Sequence, residues 1–145
     1  MRFDLVLTNP PFQDSLKRNK TPHKLWIEFT QVAMEHLLKD GGTLCQVSPA
    51  SFGSPSNAVL DLMRRYQTLV LRFDTEGHFA QTALKPGSTF SDYAIRKLAT
   101  EDTLTEVKSR SEDFTIQLDE KVWYLPNDIC TTSMEIHRKV IFEGT

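Results

Sequence analysis

The first hundred residues alternate short apolar runs with amphipathic stretches, and this order predicts an α/β fold. Three short apolar runs predict strands: Phe3–Leu7, Thr43–Val47, which is expected to be buried, and Thr68–Phe73. The first two, with the amphipathic stretch between them, predict a βαβ unit, whose crossover is nearly always right-handed. Because parallel strands end at the same edge of a sheet, the residues that follow these strands are expected to lie close together, where ligands of such sheets bind.

The stretch between the first two strands predicts one long helix. Thr21-Pro22 supplies a capping hydroxyl and a proline at the first helical position, and Asp40-Gly41-Gly42 supplies a left-handed end. Six apolar positions at helical spacing predict the buried face of this helix of about 17 residues: Leu25, Trp26, Phe29, Val32, Ala33 and Leu37.

A second helix and a hairpin are predicted next. The segment Ser56–Gln67 predicts a helix, and four of its residues predict the inner face: Val59, Leu62, Met63 and Tyr66. After the strand Thr68–Phe73, a loop over Gly77–Gly87 leads to another strand within Ser88–Leu98. These two strands predict an antiparallel hairpin.

The composition becomes more polar and charged after residue 99. Short alternating pieces at Leu104–Val107 and Phe114–Leu118 predict edge strands outside the main sheet. Ser133–Phe142 predicts a short helix that begins after a Thr-Thr-Ser cap. We therefore divide the chain into residues 1–99 and an extension over residues 100–145.

The first strand ends in a rigid turn, Asn9-Pro10-Pro11-Phe12. A proline fixes its own φ, lacks an N–H and pushes the preceding residue towards extended geometry, so the strand cannot continue through Pro10. Such a turn can hold the Asn9 side chain, the Pro10 carbonyl and the Phe12 ring around one small volume, which suits a flat molecule with an amino group. The alternative is a strand-ending turn without chemistry, since Asn-Pro commonly starts turns.

Composition narrows the class of protein. The chain has 145 residues, a formal net charge of −2 and two distant cysteines, Cys45 and Cys130. This mild acidity argues against a protein that coats nucleic acid by charge alone, so any DNA contact needs a local basic patch. The cysteines do not indicate a disulfide framework, and the four histidines form no metal-binding spacing with them, so we assign no metal. With no signal peptide or long apolar run in the sequence, we expect a soluble, cytoplasmic protein without a membrane segment.

The motif Asn9-Pro10-Pro11-Phe12 after an apolar strand resembles the catalytic motif of amino-methyltransferases that use S-adenosylmethionine, in the form typical of DNA adenine N6-methyltransferases. The chemistry explains these residue types. The lone pair of an exocyclic amino group is spread into the ring, and two acceptors that take both hydrogens favour a more reactive nitrogen. An enzyme that acts on a base must first take it out of the stack, and an aromatic ring can then stack on it.

The resemblance implies a role for each residue of the motif. Asn9 and Pro10 would accept hydrogen bonds from the N6 amino group, with Asn9 also near the methyl donor. Phe12 would stack on the extruded adenine, and Pro11 would shape the base pocket.

Other substrate contacts are expected outside the motif. The family places a second aromatic in or near the hairpin, for which Phe79 is the first choice and Phe90 the second. Lys17 and Arg18 follow the motif in a polar stretch, where they would contact DNA phosphates beside the flipped base. A solvated loop is the alternative for these two cations. The Ser51-Phe52 loop after the second strand is a candidate pocket wall or a plain connection.

The resemblance covers roughly residues 3–98 and implies an α/β fold: half of a Rossmann-like methyltransferase sheet, with helices on its faces and a terminal antiparallel hairpin. The implied cofactor is S-adenosylmethionine, yet its binding loop is missing, since no strand is followed by Gly-x-Gly and the only glycine pair is Gly41-Gly42. Residues 100–145 are then either an extra layer or the start of a target-recognition region.

Several functions remain open at this stage. The first is the base-binding half of a DNA adenine N6-methyltransferase of a restriction-modification system, acting on double-stranded DNA and inactive alone. The same motif occurs in enzymes that methylate RNA bases or protein glutamine, and a degenerate binding or assembly module would also lack the cofactor loop. In the complete fold the strand Phe3–Leu7 pairs with the missing half, so its uncovered edge predicts self-association.

Overall fold

A mixed sheet of six strands organises the fold. The computed structural model describes residues 1–12, 24–74, 90–126 and 129–143. In these ranges the strands are β1 (Phe3–Thr8), β2 (Leu38–Pro49), β3 (Tyr66–Asp74), β4 (Phe90–Ala99), β5 (Leu104–Lys108) and β6 (Asp113–Gln117). Their order across the sheet is β1-β2-β4-β3-β5-β6, with β1–β2 and β3–β5 parallel and the other neighbours antiparallel. The predicted α/β class and the antiparallel pairing of β3 with β4 are both confirmed.

Within the described ranges, three α-helices flank the sheet: α1 (Leu25–Val32), α2 (Ala58–Arg65) and α3 (Thr131–Arg138). Helix α1 continues as a π-helical turn over Ala33–Leu37, and α3 continues in the same way over Lys139–Glu143. A 3-10 turn over Ala50–Gly53 connects β2 towards α2.

One face of the sheet carries the core. Along β2 the buried residues alternate with half-buried ones, so Leu44, Gln46 and Ser48 lie under the helices while Cys45 and Val47 face the other side. The same alternation continues across β4 and β3, because Ile95 pairs with Leu44 and Leu71 pairs with Tyr93. The face that carries Cys45 and Val47 is only half-buried.

The predicted buried face of the first helix is wrong in part. Trp26 and Ala33 are buried as predicted, but Met34 and the polar Thr30, which were not predicted, are buried with them. Three residues predicted to be buried are exposed: Phe29 by 45%, Val32 by 46% and Leu37 by 37%. The helix has apolar residues on several sides, so its periodicity did not fix which side packs on the sheet. The predicted start at Thr21-Pro22 lies outside the described residues.

The glycine pair does not end this helix. Strand β2 begins at Leu38, before the glycines, and Gly41 adopts φ +81 within the strand. Between the pairs Phe3–Leu38 and Leu5–Thr43 the register shifts, because β2 contains more residues there than β1 does. The left-handed glycine therefore serves a bulge in β2 and does not cap the helix.

The second helix is shorter than predicted. Helix α2 begins after Asn57, whose side chain accepts a hydrogen bond from the Val59 backbone N–H at 2.9 Å. Val59, Leu62 and Met63 are buried as predicted. Tyr66, by contrast, is the first residue of β3 and is half-buried.

The extension belongs to the main sheet. We predicted edge strands outside it, which is wrong: β5 pairs with β3 in parallel and β6 continues the same sheet. Val107, Leu118, Leu125 and Ile129 are buried in the core cluster that the first 99 residues build. The sequence did not predict the pairing of β5 with β3. The alternation of apolar and polar residues indicates that a segment forms a strand, but it does not indicate which strand it pairs with.

The last helix begins two residues earlier than predicted. Its N-cap is Cys130, whose sulfur accepts from the Ser133 backbone N–H, while the Ser133 hydroxyl oxygen accepts from the Cys130 N–H at 3.0 Å. The two residues thus form a reciprocal capping box.

Candidate functional site

The Asn-Pro-Pro-Phe turn leaves β1 at the edge of the sheet where the parallel strands end. Asn9 directly follows Thr8, which pairs with Gln46 of β2. The end of β2 lies beside it, where Pro49 pairs with Phe90 at the start of β4. The turn therefore lies at the carboxyl edge, as the sequence predicted.

The motif residues differ in exposure. Asn9 and Pro11 are exposed, Phe12 is half-buried, and Pro10 is buried. Within the described residues, the structure records no hydrogen bond to the Asn9 carboxamide. An exposed amide without an internal partner is available to a ligand, whereas the burial of Pro10 fixes the direction in which the chain leaves the strand.

The Phe12 ring stacks on the Phe90 ring. Their centroids are 5.3 Å apart and their planes differ by 29°. Phe90 is only 6% exposed. One face of the Phe12 ring is thus covered by Phe90.

A layer of aromatic side chains supports this edge from the core side. Phe52 contacts Tyr93 edge-on, with centroids 5.3 Å apart, and lies 5.7 Å from Phe73. Phe52 is fully buried, so this half of the Ser51-Phe52 loop belongs to the core and not to a pocket wall.

A buried polar network connects α1, β2 and β4 directly behind the turn. The Gln46 amide donates to the Thr30 hydroxyl at 2.6 Å and to the Tyr93 hydroxyl at 2.8 Å. The Thr30 hydroxyl in turn donates to the Trp26 carbonyl at 2.7 Å. The side-chain oxygen of Gln46 has no partner among the described residues. Sequence reasoning missed these residues, because a single Thr or Gln in an apolar pattern carries no signal of its own.

Burial keeps the Tyr93 phenol neutral. Burial, opposed in part by hydrogen bonds with Ser48, Thr30 and Gln46, raises the pKa of Tyr93 to about 12. The phenol is therefore protonated at neutral pH and can donate as well as accept a hydrogen bond.

An open cavity of about 670 Å³ begins at Asn9 and extends over the half-buried face of the sheet. Its apolar wall comes from Leu7, Cys45, Val47 and Val70, among others. Burial, followed by the Asp92 carboxylate, raises the pKa of the Cys45 thiol, so this sulfur is not an activated nucleophile. The volume falls in the range of ~300–1,000 Å³ that is typical of small-molecule sites.

Charge at the cavity is balanced by one ion pair. The Arg72 Nε donates to both carboxylate oxygens of Asp92 at 3.0 Å. This pair neutralises the wall and leaves Asn9 as a polar, uncharged group at the rim.

Three predicted substrate residues, Lys17, Arg18 and Phe79, lie outside the described residues. Phe90, the second choice for the additional aromatic, lies at the site in contact with Phe12.

The described residues do not form a cradle for S-adenosylmethionine. The parallel strands β1, β2 and β3 end at Thr8, Pro49 and Asp74, and no glycine-rich turn into a helix follows them in the sequence. A cofactor loop needs such a turn so that backbone N–H groups can approach the ligand. Within the described ranges, no cluster of three or more His, Cys, Asp or Glu side chains is placed to hold a metal ion, and no helix is long and apolar enough to span a membrane.

Comparison with solved structures shows a methyltransferase fold. The M protein of the type I restriction enzyme EcoKI is similar with a TM-score of 0.53 and 16% identity, over 74% of this chain and 26% of its own. A structure of the assembly of a type I restriction-modification system has a TM-score of 0.55 and 20% identity, over 96% of this chain and 29% of its own. A protein described as a class I S-adenosylmethionine-dependent methyltransferase from Listeria monocytogenes has a TM-score of 0.50 and 14% identity, over 74% of this chain and 37% of its own.

No protein-family model and no curated protein sequence matches the chain. The chain spans between 26% and 37% of the length of these three solved structures. At this level of identity the similarity establishes the fold alone. The chain therefore has the fold of part of an α/β methyltransferase, with its Asn-Pro-Pro-Phe turn at the carboxyl edge of the sheet.

Proposed function

We propose that the chain is the base-binding part of an S-adenosylmethionine-dependent DNA adenine N6-methyltransferase of a restriction-modification system. The observation that carries this proposal is the position of the motif: Asn9 is exposed at the carboxyl edge, and Phe12 stands beside it with one ring face covered by Phe90. The fold shared with modification subunits is consistent with it.

The chemistry assigned to this chain is recognition and activation of the amino group. The Asn9 side-chain oxygen and the Pro10 carbonyl accept the two N6 hydrogens, which localises the lone pair on nitrogen. Phe12 stacks on the purine with the ring face that Phe90 leaves open. A rigid turn that holds these groups together lowers the barrier chiefly by positioning.

The methyl donor has to be held elsewhere. The described residues lack the donor cradle, so we assign cofactor binding to a glycine-rich half outside these 145 residues, in the same polypeptide or in a second one. Calorimetry on this chain alone is expected to detect no submillimolar binding of S-adenosylmethionine.

The charge distribution bears on the role of the extension. Residues 100–145 contain ten Asp or Glu and five Lys or Arg, a formal charge of −5. Repulsion from phosphates makes a DNA clamp unfavourable there. We therefore assign the extension a structural role, as two further strands of the main sheet, and not the start of a target-recognition region. The DNA contacts are assigned to Lys17 and Arg18, next to the motif.

We favour DNA as the substrate over RNA bases and protein glutamine. A cytoplasmic location is part of the same proposal. A purine needs a stacking ring as well as two acceptors, and both are adjacent in the turn. A protein glutamine needs only the acceptors. A degenerate assembly module would bind neither a purine base nor a glutamine side chain. Separately, we expect copies of the chain to self-associate through the edge of the strand Phe3–Leu7.

Chemical-shift mapping with adenosine tests the proposal on the chain as it exists. In ¹H–¹⁵N spectra, millimolar adenosine is expected to shift the resonances of Asn9, Phe12 and the neighbouring Val47 and Phe90, and cytidine is expected to shift them less. Perturbations confined to other surfaces, or a response to a glutamine dipeptide and none to adenosine, would contradict the DNA adenine assignment.

A further inference from the structure

Gln46 lies between the two strands that carry the motif and its aromatic support. On one side it pairs with Thr8 of β1, the residue directly before Asn9. On the other side it pairs with Tyr93 of β4. Its side chain is buried on the core face of the sheet, at 2% exposure. A change in the position of this residue therefore reaches the end of β1 and the adjoining part of β4 together.

The hydrogen bonds of the Gln46 amide have a defined direction. The Thr30 hydroxyl donates its one hydrogen to the Trp26 carbonyl at 2.7 Å, so towards Gln46 it can only accept. The other hydrogen of the amide goes to the Tyr93 hydroxyl. An amide turned the other way would place two acceptors against each other at Thr30. Helix α1 therefore determines the orientation of the Gln46 side chain.

The same network continues to the end of β2. Because the Tyr93 hydroxyl accepts from Gln46, its own hydrogen is left for Ser48 or Thr30, its other hydrogen-bond partners. The Ser48 hydroxyl donates to the Pro49 carbonyl at 3.2 Å. Pro49 ends β2 and pairs with the first residue of β4. The network thus spans the segment of β2 that lies beside the motif.

Both ligand-binding side chains assigned to the motif depend on this segment. Asn9 directly follows the β1 residue that pairs with Gln46, and the Phe12 ring stacks on Phe90, the first residue of β4. We propose that Gln46 is a positioning residue, which holds Asn9 and Phe12 in place through its hydrogen bonds to α1 and β4. This role rests on the proposed function, in which Asn9 and Phe12 are the groups that hold adenine.

Stability alone does not account for a glutamine at this position. Its side-chain oxygen is buried without a partner among the described residues, and an unpaired buried acceptor is destabilising. A methionine has no such atom. It would also leave no hydroxyl donor unpaired, since Thr30 and Tyr93 each have another acceptor. Gln46→Met is therefore expected to keep the urea midpoint of the wild type or to raise it.

Order at the motif in the ligand-free chain tests the positioning. The backbone ¹⁵N order parameters of Asn9 and Phe12 are expected to fall from about 0.85, which is typical of rigid backbone, towards about 0.6 in Gln46→Met. Tyr93→Phe breaks the same network from β4 and is expected to have the same effect. Wild-type order parameters in both variants would overturn the proposal.

Thr105→Val is the matched control. The Thr105 hydroxyl is buried elsewhere in the same sheet and donates to the Thr68 carbonyl at 2.7 Å. Its loss is expected to lower the urea midpoint and to leave the order parameters of the motif unchanged. A motif that loosens equally in this variant would contradict a specific role of Gln46, since any loss of stability would then have the same effect.

Adenosine titration separates this role from the proposed function. Gln46→Met is expected to weaken adenosine binding by about two- to fivefold, less than the loss of a whole base–aromatic contact. If the wild type bound no adenosine, the proposed function would fail, while the order parameters would still decide the role of Gln46. Unchanged adenosine affinity in Gln46→Met would overturn the positioning role. A Gln46→Met chain that is less stable than the wild type, or that does not fold, would overturn it as well, because the amide would then act through stability.

Discussion

The aromatic ring of Phe12 rests on that of Phe90, with centroids 5.3 Å apart. A base held between two rings needs them about 7 Å apart, twice the van der Waals contact distance. No base fits between these two rings in this arrangement. Phe90 therefore covers one face of the Phe12 ring, and our proposal places the base against the opposite face.

Replacement of Phe12 tests its stacking role. Phe12→Ala is expected to weaken adenosine binding by about 1–3 kcal/mol, a factor of about 5 to 150, since it removes one base–aromatic contact. Phe12→Tyr keeps the ring and is the matched control, with binding within about twofold of wild type. Equal affinities of the Ala and Tyr variants, measured by NMR titration, would exclude stacking on Phe12.

Replacement of Phe90 tests whether it acts through Phe12. Phe90→Leu keeps an apolar support and is expected to weaken adenosine binding less than Phe12→Ala does. The decisive measurement is the double variant: if Phe90 only positions Phe12, adding Phe90→Leu to Phe12→Ala causes no further loss of affinity. Additive losses would show instead that Phe90 contacts the base itself.

Stability at alkaline pH tests the buried network. The pKa of Tyr93 is raised to about 12 in the folded chain, so above pH 10 the unfolded state releases this proton while the folded state keeps it. The contribution of Tyr93 is complete below pH 10 and is lost as pH rises towards 12, at up to about 1.4 kcal/mol per pH unit. Urea unfolding of wild type and Tyr93→Phe should show a steeper decline in the wild type. Parallel pH profiles would mean that Tyr93 is not buried as described.

The contact between Gly53 and the extension gives a prediction about stability. The Leu125 N–H donates to the Gly53 carbonyl at 2.9 Å, and a Cβ at Gly53 would lie 2.1 Å from the Leu125 carbonyl oxygen. Gly53→Ala is therefore expected to destabilise the chain by about 1–3 kcal/mol through overpacking. The control is Gly41→Asn, at a left-handed position with no atom within 4 Å, where Asn is tolerated and the cost should be smaller. Equal unfolding free energies of the two variants would contradict the packing of the extension on this turn.

The sequence predicted those structural features that depend on residues close together along the chain. The Asn9-Pro10 turn was predictable because proline restricts the backbone locally, whatever the rest of the fold does. The hairpin of β3 and β4 was predictable because its strands are neighbours in sequence. The parallel pairing of β5 with β3 was not, since it joins residues that are far apart along the chain and that carry an ordinary polar alternation.

The buried face of α1 shows the same limit. Phe29 and Val32 are as apolar as Trp26, and only the sheet beneath the helix decides which side is buried. The burial of Thr30 depends on Gln46 and Tyr93, two residues on other elements that give it hydrogen-bond partners. The burial of a polar side chain such as Thr30 cannot be predicted from its own position in the sequence, because it depends on hydrogen-bond partners on other elements.

A comparison of adenosine with N6,N6-dimethyladenosine isolates the acceptors at Asn9 and Pro10. The dimethylated base keeps the purine ring that stacks on Phe12 but has no amino hydrogen to donate. Two lost hydrogen bonds at about 0.5–1.5 kcal/mol each amount to a loss of affinity of about 5- to 150-fold for the wild-type chain. Asn9→Ala should bind adenosine more weakly and discriminate less between the two nucleosides. If the wild-type chain bound both nucleosides equally, or if Asn9→Ala kept the full discrimination, the turn would not be an acceptor site for the N6 amino group.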